Sequence, residues 1–250
     1  MFEWIASPEG WIALLTLTAL ELVLGVDNIV FISILVDKLP GDQRNSARLI
    51  GLALAMIGRI LLLLSISWLI KLTAPIFGVL GNEISGRDLI LIAGGLFLIG
   101  KSTFEIHEKL EGEEGHRSSK IAPSFANVMI QIILLDLVFS LDSVITAIGM
   151  AEDVSVMVIA VIIAILFMMA FAKPLGDFVE RRPTVKMLAL SFLLLIGTAL
   201  VADGLDTHIP KGYIYSAMGF SVFVEMLNLR LRKTPEEDKV KLHQPYVKEE

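Results

Sequence analysis

The stretch Glu21-Leu-Val-Leu-Gly-Val-Asp27-Asn28 returns later in the chain as Asp136-Leu-Val-Phe-Ser-Leu-Asp142-Ser143. Each copy sets two carboxylates six residues apart in a run that is otherwise almost wholly apolar, and each follows the second carboxylate with an oxygen-bearing side chain. Glu21 aligns with Asp136, Gly25 with Ser140, Asp27 with Asp142 and Asn28 with Ser143. A match at that many positions points to an internal repeat built round one site.

The sequence around the two copies is a membrane sequence. Of its 250 residues 55% are hydrophobic, the mean hydropathy is +0.73, and apolar runs of roughly 18 residues or more recur along the chain, which defines a polytopic, all-α membrane protein. Spans are expected near 11–36, 48–70, 88–106, 124–149, 154–172, 186–203 and 212–229. The N-terminal residues carry no basic segment, so the first hydrophobic run is expected to stay as a span rather than be cleaved. The absence of cysteine excludes thiolate catalysis, disulfides and iron–sulfur clusters. A net charge of -6 with no basic stripe argues against nucleic acid as a partner.

Lys and Arg crowd into alternate loops. Lys38, Arg44 and Arg48, then Lys101, Lys109, Arg117 and Lys120, then Lys173, Arg181, Arg182 and Lys186 fall on one side with the basic tail, against Lys71, Arg87 and Lys211 on the other. The positive-inside rule then places the N-terminus outside and the C-terminus in the cytoplasm. The first motif opens spans one to three (about 11–106) and the second opens spans four to six (about 124–203), so the two triplets enter from opposite sides as an inverted 3+3 repeat, with the seventh span (about 212–229) outside it. Beyond the motifs, the best trace of that repeat is Leu98-Ile-Gly100 against Leu195-Ile-Gly197. Residues 230–250 are charged and contain proline, and are expected to be a disordered cytoplasmic tail. Inverted repeats of this kind build transporters whose site lies at the midplane, where the halves meet.

A carboxylate at mid-membrane costs about 2.5–3.5 kcal/mol on insertion scales, so Glu21, Asp27, Asp136 and Asp142 together would cost on the order of 10–14 kcal/mol uncompensated. Arg59 in the second span is expected to neutralise one of them at most. A bound divalent cation or protonation would settle the rest. Carboxylates, the amide of Asn28 and the hydroxyls of Ser140 and Ser143 are hard oxygen donors suited to Mn²⁺, Ca²⁺ or Mg²⁺. The expected ligands are Asp27 and Asp142, then Glu21 and Asp136 as ligands or proton carriers, with Asn28 and Ser143. On a straight helix Asp27 sits about 120° round from Glu21. Either Gly25 and Ser140 mark helix breaks that bring both acids to one point, or the acids serve successive positions along a path.

Other polar groups carry less. Glu225 and Asn228 share a face of the seventh span and reach either the site or a helix end at the cytoplasmic side. Glu105, His107, Glu108, Glu111, Glu113, Glu114 and His116 gather at the cytoplasmic mouth, where a solvated acidic loop accounts for them. Asp203, Asp206 and His208 lie at the outer side, and Lys101 is expected to snorkel.

These residues resemble the TerC family of bacterial membrane proteins, grouped with the LysE-type exporters. The likeness rests on Glu-Leu-Val-Leu-Gly-Val-Asp-Asn-Ile-Val-Phe from residue 21, Gly-Arg-Asp-Leu-Ile-Leu from residue 86, Leu-Leu-Asp-Leu-Val-Phe-Ser-Leu-Asp-Ser-Val-Ile-Thr-Ala from residue 134 and Ile-Pro-Lys-Gly-Tyr-Ile-Tyr from residue 209. It covers about residues 1–229. The resemblance implies a seven-span inner-membrane protein whose paired motifs line an ion path, as in members that export manganese. Carried over, Glu21, Asp27, Asn28, Asp136, Asp142 and Ser143 are metal and transport residues. The expectation is therefore export of a divalent cation, Mn²⁺ first, with protons as candidate counter-ion. No tightly bound cofactor and no enzyme chemistry are expected, and the oligomeric state is left open. The competing expectation is a non-transporting membrane scaffold or assembly factor, in which the acids are fixed polar glue between helices.

Overall fold

The computed structural model describes residues 3–79, 82–111, 124–148 and 153–231. After a 3-10 turn at Glu3–Ala6 come α1 (Pro8–Val36), α2 (Gly41–Leu64), α3 (Ile66–Leu72), β1 (Pro75–Val79), β2 (Asn82–Ser85), α4 (Gly86–Glu111), α5 (Phe125–Ile148), α6 (Val154–Arg181), α7 (Pro183–Asp203) and α8 (Lys211–Leu231). Among the described residues six helices, α1, α2, α4, α5, α6 and α7, are long and apolar enough to cross a membrane. At 21 residues α8 matches α7 in length, but Glu225, Asn228 and Arg230 interrupt its apolar run and it is not one of the six. Most of the expected tail, from residue 232 on, lies outside the described residues.

Local chemistry sets where these helices begin. Ser7 caps α1, its hydroxyl accepting from the Gly10 amide at 3.2 Å, with Pro8 at the first position, where its missing N–H costs nothing. Asp153 caps α6 through the Ser155 amide at 3.0 Å. At the start of α4, the Ser85 amide donates to the Asp88 carboxylate (2.9 Å) and the Asp88 amide to the Ser85 hydroxyl (3.3 Å), a reciprocal capping box. The Gly-Arg-Asp signature thus serves as a helix start.

Three boundaries differ from the sequence expectation. The second span is two helices: at Ser65 the hydroxyl and amide both turn back to the Leu61 carbonyl, at 2.6 and 2.9 Å, which ends α2 before α3 begins. The fifth continues beyond its apolar run, through Pro174 to Arg181, and carries Asp177 and Glu180 with it. Between α3 and α4 the chain forms an antiparallel hairpin that pairs Phe77 with Ile84 and Gly78 with Glu83, where only a loop was expected.

In the packed bundle α1 lies chiefly on α6 and α4 on α7, while α2 contacts both α5 and α6. The α4–α7 crossing brings backbone to backbone: a Cβ on Gly95 would stand 2.6 Å from the Gly197 carbonyl oxygen, and one on Gly197 would stand 2.9 Å from that of Gly95. Gly100 faces open space. The match of Leu98-Ile-Gly100 with Leu195-Ile-Gly197 therefore equates unlike positions, a crossing glycine with an open one.

The bundle has a charged end, where the close of α1, α4 and α6 meets the start of α2 and α7, and a hairpin end, where Thr73, Arg87, Asp88, Ile145 and Asp206 surround a cleft. Thus α1 and α5 run in opposite directions. Glu225 accepts a hydrogen bond from Thr184 at the start of α7, so α8 returns along α7 to the charged end. Leu15, Leu64, Leu96, Ile130, Leu166 and Phe220 are exposed on the flanks, a surface suited to lipid rather than water.

Candidate functional site

Near the middle of α1 and α5, and in the last third of α2, charged and polar side chains meet inside the apolar bundle. Arg59, only 2% exposed, points its guanidinium at two carboxylates. Its Nη1 donates to Glu21 Oε2. On the other side Nη2 donates to Asp136 Oδ1 at 3.0 Å and Nε to Asp136 Oδ2 at 3.5 Å. Asn28 Nδ2 donates to Asp136 Oδ1 and Ser140 Oγ to Asp136 Oδ2, both at 3.1 Å. Ser143 Oγ donates to the Ser140 carbonyl at 3.2 Å. Glu21, Asn28, Asp136, Ser140 and Ser143 are all buried. Side chains from both motif copies therefore meet in one buried cluster.

Three expectations need correction or completion. Arg59 pairs with two carboxylates, one from each motif, because the planar guanidinium presents donors on two edges, although its single positive charge offsets only one of them, as expected. No helix breaks occur at Gly25 or Ser140, since α1 and α5 run as continuous α-helices through them. Gly25 is small for packing: a methyl there would overlap Sδ and Cε of Met168 on α6. Ser140, fully buried, is a donor to Asp136. The side chains of Asp27 and Asp142 lie outside the described residues; the helix rise of 1.5 Å per residue puts their backbones about 9 Å from Glu21 and Asp136 along α1 and α5. Among the described residues no three Asp, Glu, His or Cys side chains gather closely enough to hold a metal ion.

A cavity of about 60 Å³ adjoins the cluster. Asn28, Arg59 and Ser143 line one part of it, and Asp203, Lys211 and Tyr215 line the part towards the hairpin end. By volume it has room for roughly four waters. Asp203 is buried and bonds His208 Nδ1 at 3.1 Å, so two of the three outer-side residues singled out in the sequence are partners. Asp206 instead lines the hairpin-end cleft, with Arg87.

The charged end holds a second polar assembly that sequence reasoning missed. Asp37 accepts from Lys186 at 2.5 Å and is paired with Arg44 (3.0 Å) and Lys109 (3.7 Å). Arg44 also pairs with Glu180, and Arg48 pairs with Asp177 at 3.0 Å and Glu180 at 3.6 Å. Glu105 takes Lys38 and Lys101, the latter at 2.8 Å. Glu105, expected in a solvated acidic loop, is 2% exposed. Lys101 does not snorkel freely but is tied to Glu105 one turn away. His107 and Glu111 are largely exposed, as a solvated face requires; Glu113, Glu114 and His116 lie outside the described residues. Glu225 makes a helix-end contact with Thr184, remote from the Arg59 cluster. Burial pushes the Asp37 carboxyl up, but Lys186, Lys109 and Arg44 outweigh it and hold it below the ordinary carboxylate value.

Six helices long and apolar enough to cross a membrane, a buried charge cluster shared by two matching motifs and an adjoining cavity fit a multi-pass, transporter-like membrane protein. The sequence profile described as "Integral membrane protein TerC family" matches residues 6–239, and the chain belongs to that family. It is 62% identical over 234 residues to a "UPF0053 protein" of Haemophilus influenzae, covering 93% of this chain and 99% of that one. It is 55% identical over 236 residues to the "UPF0053 inner membrane protein YgdQ" of Escherichia coli, covering 94% and 99%. The "UPF0053 inner membrane protein YoaE" of the same species matches at 53% over 92% of this chain but only 45% of its own length. No solved structure matches. The chain is an inner-membrane protein with several spans.

Proposed function

We propose that the protein carries a divalent cation, Mn²⁺ first among candidates, out of the cytoplasm in exchange for protons. The observation that carries this reading is the meeting of Glu21 from one motif and Asp136 from the other at a single buried site, on helices that run in opposite directions. Two antiparallel copies of one acidic motif, joined at mid-bundle, are what an inverted-repeat carrier needs. Asp27 follows Glu21 towards the charged end and Asp142 follows Asp136 towards the hairpin end, so the four acids mark successive positions along a path. The cavity extends that path to Asp203.

The finer topology belongs to the same proposal. The return of α8 along α7 supports seven crossings. The charged end, rich in Lys and Arg, is then cytoplasmic and the hairpin end outside. The reciprocal packing of α1 with α6 and α2 with α5, about the α4–α7 crossing, supports halves of α1, α2, α4 and α5, α6, α7. Residues 1–229 form the membrane domain and 230–250 a cytoplasmic tail. No covalent step enters this mechanism.

One observation favours the scaffold reading: Asp136 accepts from Arg59, Asn28 and Ser140 together, as fixed polar glue would. Uptake of Mn²⁺ into inside-out vesicles, with and without a pH gradient, separates the two. A carrier loses uptake at least tenfold in Asp27→Asn and Asp142→Asn, whereas full uptake by both variants would end the proposal.

A further inference from the structure

Arg59 occupies the ground that a carried cation would need. Both oxygens of Asp136 are engaged twice, Oδ1 by Arg59 and Asn28 and Oδ2 by Arg59 and Ser140, while the same guanidinium reaches Glu21. A carboxylate offers about four acceptor positions, so Asp136 has none to spare. The three donors differ in what they become when a metal ion arrives. Asn28 and Ser140 each carry an oxygen and can turn from donor to ligand. Arg59 carries no acceptor, and its charge repels a divalent ion held by the same two carboxylates at contact distance. Cation binding at Glu21 and Asp136 therefore requires Arg59 to withdraw. The structure supplies the space for it: the cavity beside Arg59 extends between Asn28 and Ser143 towards the buried carboxylate of Asp203.

We propose that Arg59 is a tethered counter-ion, which offsets one of the two carboxylate charges of the empty site, leaves when the cation binds, and ejects the cation when it returns. This rests on the cation-carrier reading and adds the release step to it. A resident arginine keeps the cargo-free site from collapsing or trapping an ion, because the two carboxylates never stand without positive charge. It also sets a limit on affinity, since every cation bound must displace a guanidinium already in place.

The test compares purified wild type, Arg59→Gln and Arg59→Lys in lipid nanodiscs, with Mn²⁺ as the probe, by calorimetry and by electron paramagnetic resonance of the free ion. Transport is followed in parallel in proteoliposomes. Gel filtration confirms that each variant is folded, and the lysine variant retains a positive charge should the glutamine variant fail to assemble. A tethered counter-ion predicts Mn²⁺ binding at least tenfold tighter in Arg59→Gln, with transport at least tenfold slower because release is lost. Arg59→Lys, a point charge that reaches one carboxylate at a time, falls between. Binding of unchanged or weaker affinity in the folded variants, with binding intact in wild type, would make Arg59 a structural brace and overturn the inference. Absence of Mn²⁺ binding from all three proteins, wild type included, would instead remove the carrier reading on which it stands.

Discussion

The mid-bundle cluster and the charged end are both built from ion pairs, yet their balances are opposite. At the charged end the described pairs set six cationic side chains, Lys38, Arg44, Arg48, Lys101, Lys109 and Lys186, against four carboxylates, Asp37, Glu105, Asp177 and Glu180. At mid-bundle the described ion pairs set the one guanidinium of Arg59 against Glu21 and Asp136. A network with cations to spare gives a metal ion nothing and works as a clasp between helices. A cluster whose pairs hold more carboxylate than guanidinium charge keeps a negative excess out of water. The same chemistry, a carboxylate against a guanidinium, thus has different consequences according to which charge is in excess and how far water is excluded.

The comparison can be broken most directly at Asp136. Asp136→Leu removes the shared acceptor of Arg59, Asn28 and Ser140 and should lower stability by about 3–5 kcal/mol, as loss of one partner of a buried pair does. Chemical unfolding in detergent measures it; a loss under about 1 kcal/mol would mean that the cluster is not a folded-state determinant. Asp37→Asn at the charged end should cost less, about 1–3 kcal/mol, because the amide keeps some of the hydrogen bonds. Its effect should shrink in high salt, since that end borders water; the Asp136 effect should not.

Acid sharpens the contrast. The folded-state value of Asp37 lies below the unfolded one, so its contribution is present above the unfolded carboxylate value of about 4 and is lost as the pH falls through the lower folded value. Thermal unfolding of wild type and Asp37→Asn should therefore differ at neutral pH and converge well below pH 4. Curves that stay equally far apart down to pH 2 would contradict the ion pairs drawn for this residue. The smallest effects are expected at packing positions. Gly25→Leu should cost about 1–3 kcal/mol by crowding Met168, and Met168→Ala in the same chain should restore much of it. Gly25→Ala should lie within about 1 kcal/mol of wild type, since the thioether tip it meets is flexible and the helix gains propensity. Equal costs for both Gly25 substitutions would place the clash elsewhere.

Much of the mid-bundle site was legible in the sequence, because lipid makes four acids in apolar runs conspicuous and their matched spacing pairs them. The double role of Arg59 was not, since it depends on where a long side chain lands between helices far apart in sequence. Helix breaks at Gly25 and Ser140 were inferred from small residues beside an acid, whereas in the fold those residues serve close packing and a hydrogen bond. The charged end was invisible for another reason. Lys38, Glu105 and Lys186 sit in segments whose composition reads as solvated loop or helix end, and their pairing, Lys38 with Glu105 and Lys186 with Asp37, joins segments far apart in sequence. The hairpin of β1 and β2 was missed because a short pair between spans leaves no long periodicity.

The surplus of cations among the described pairs at the charged end has an effect on whatever drifts near it. Over the screening distance of about 8 Å at physiological salt, such a rim thins out free metal ions and enriches anions. While its pairs are closed, entry of cations at that end is opposed by electrostatic repulsion as well as by the apolar packing behind it. A bundle closed in this way is insulated at that end against small cations.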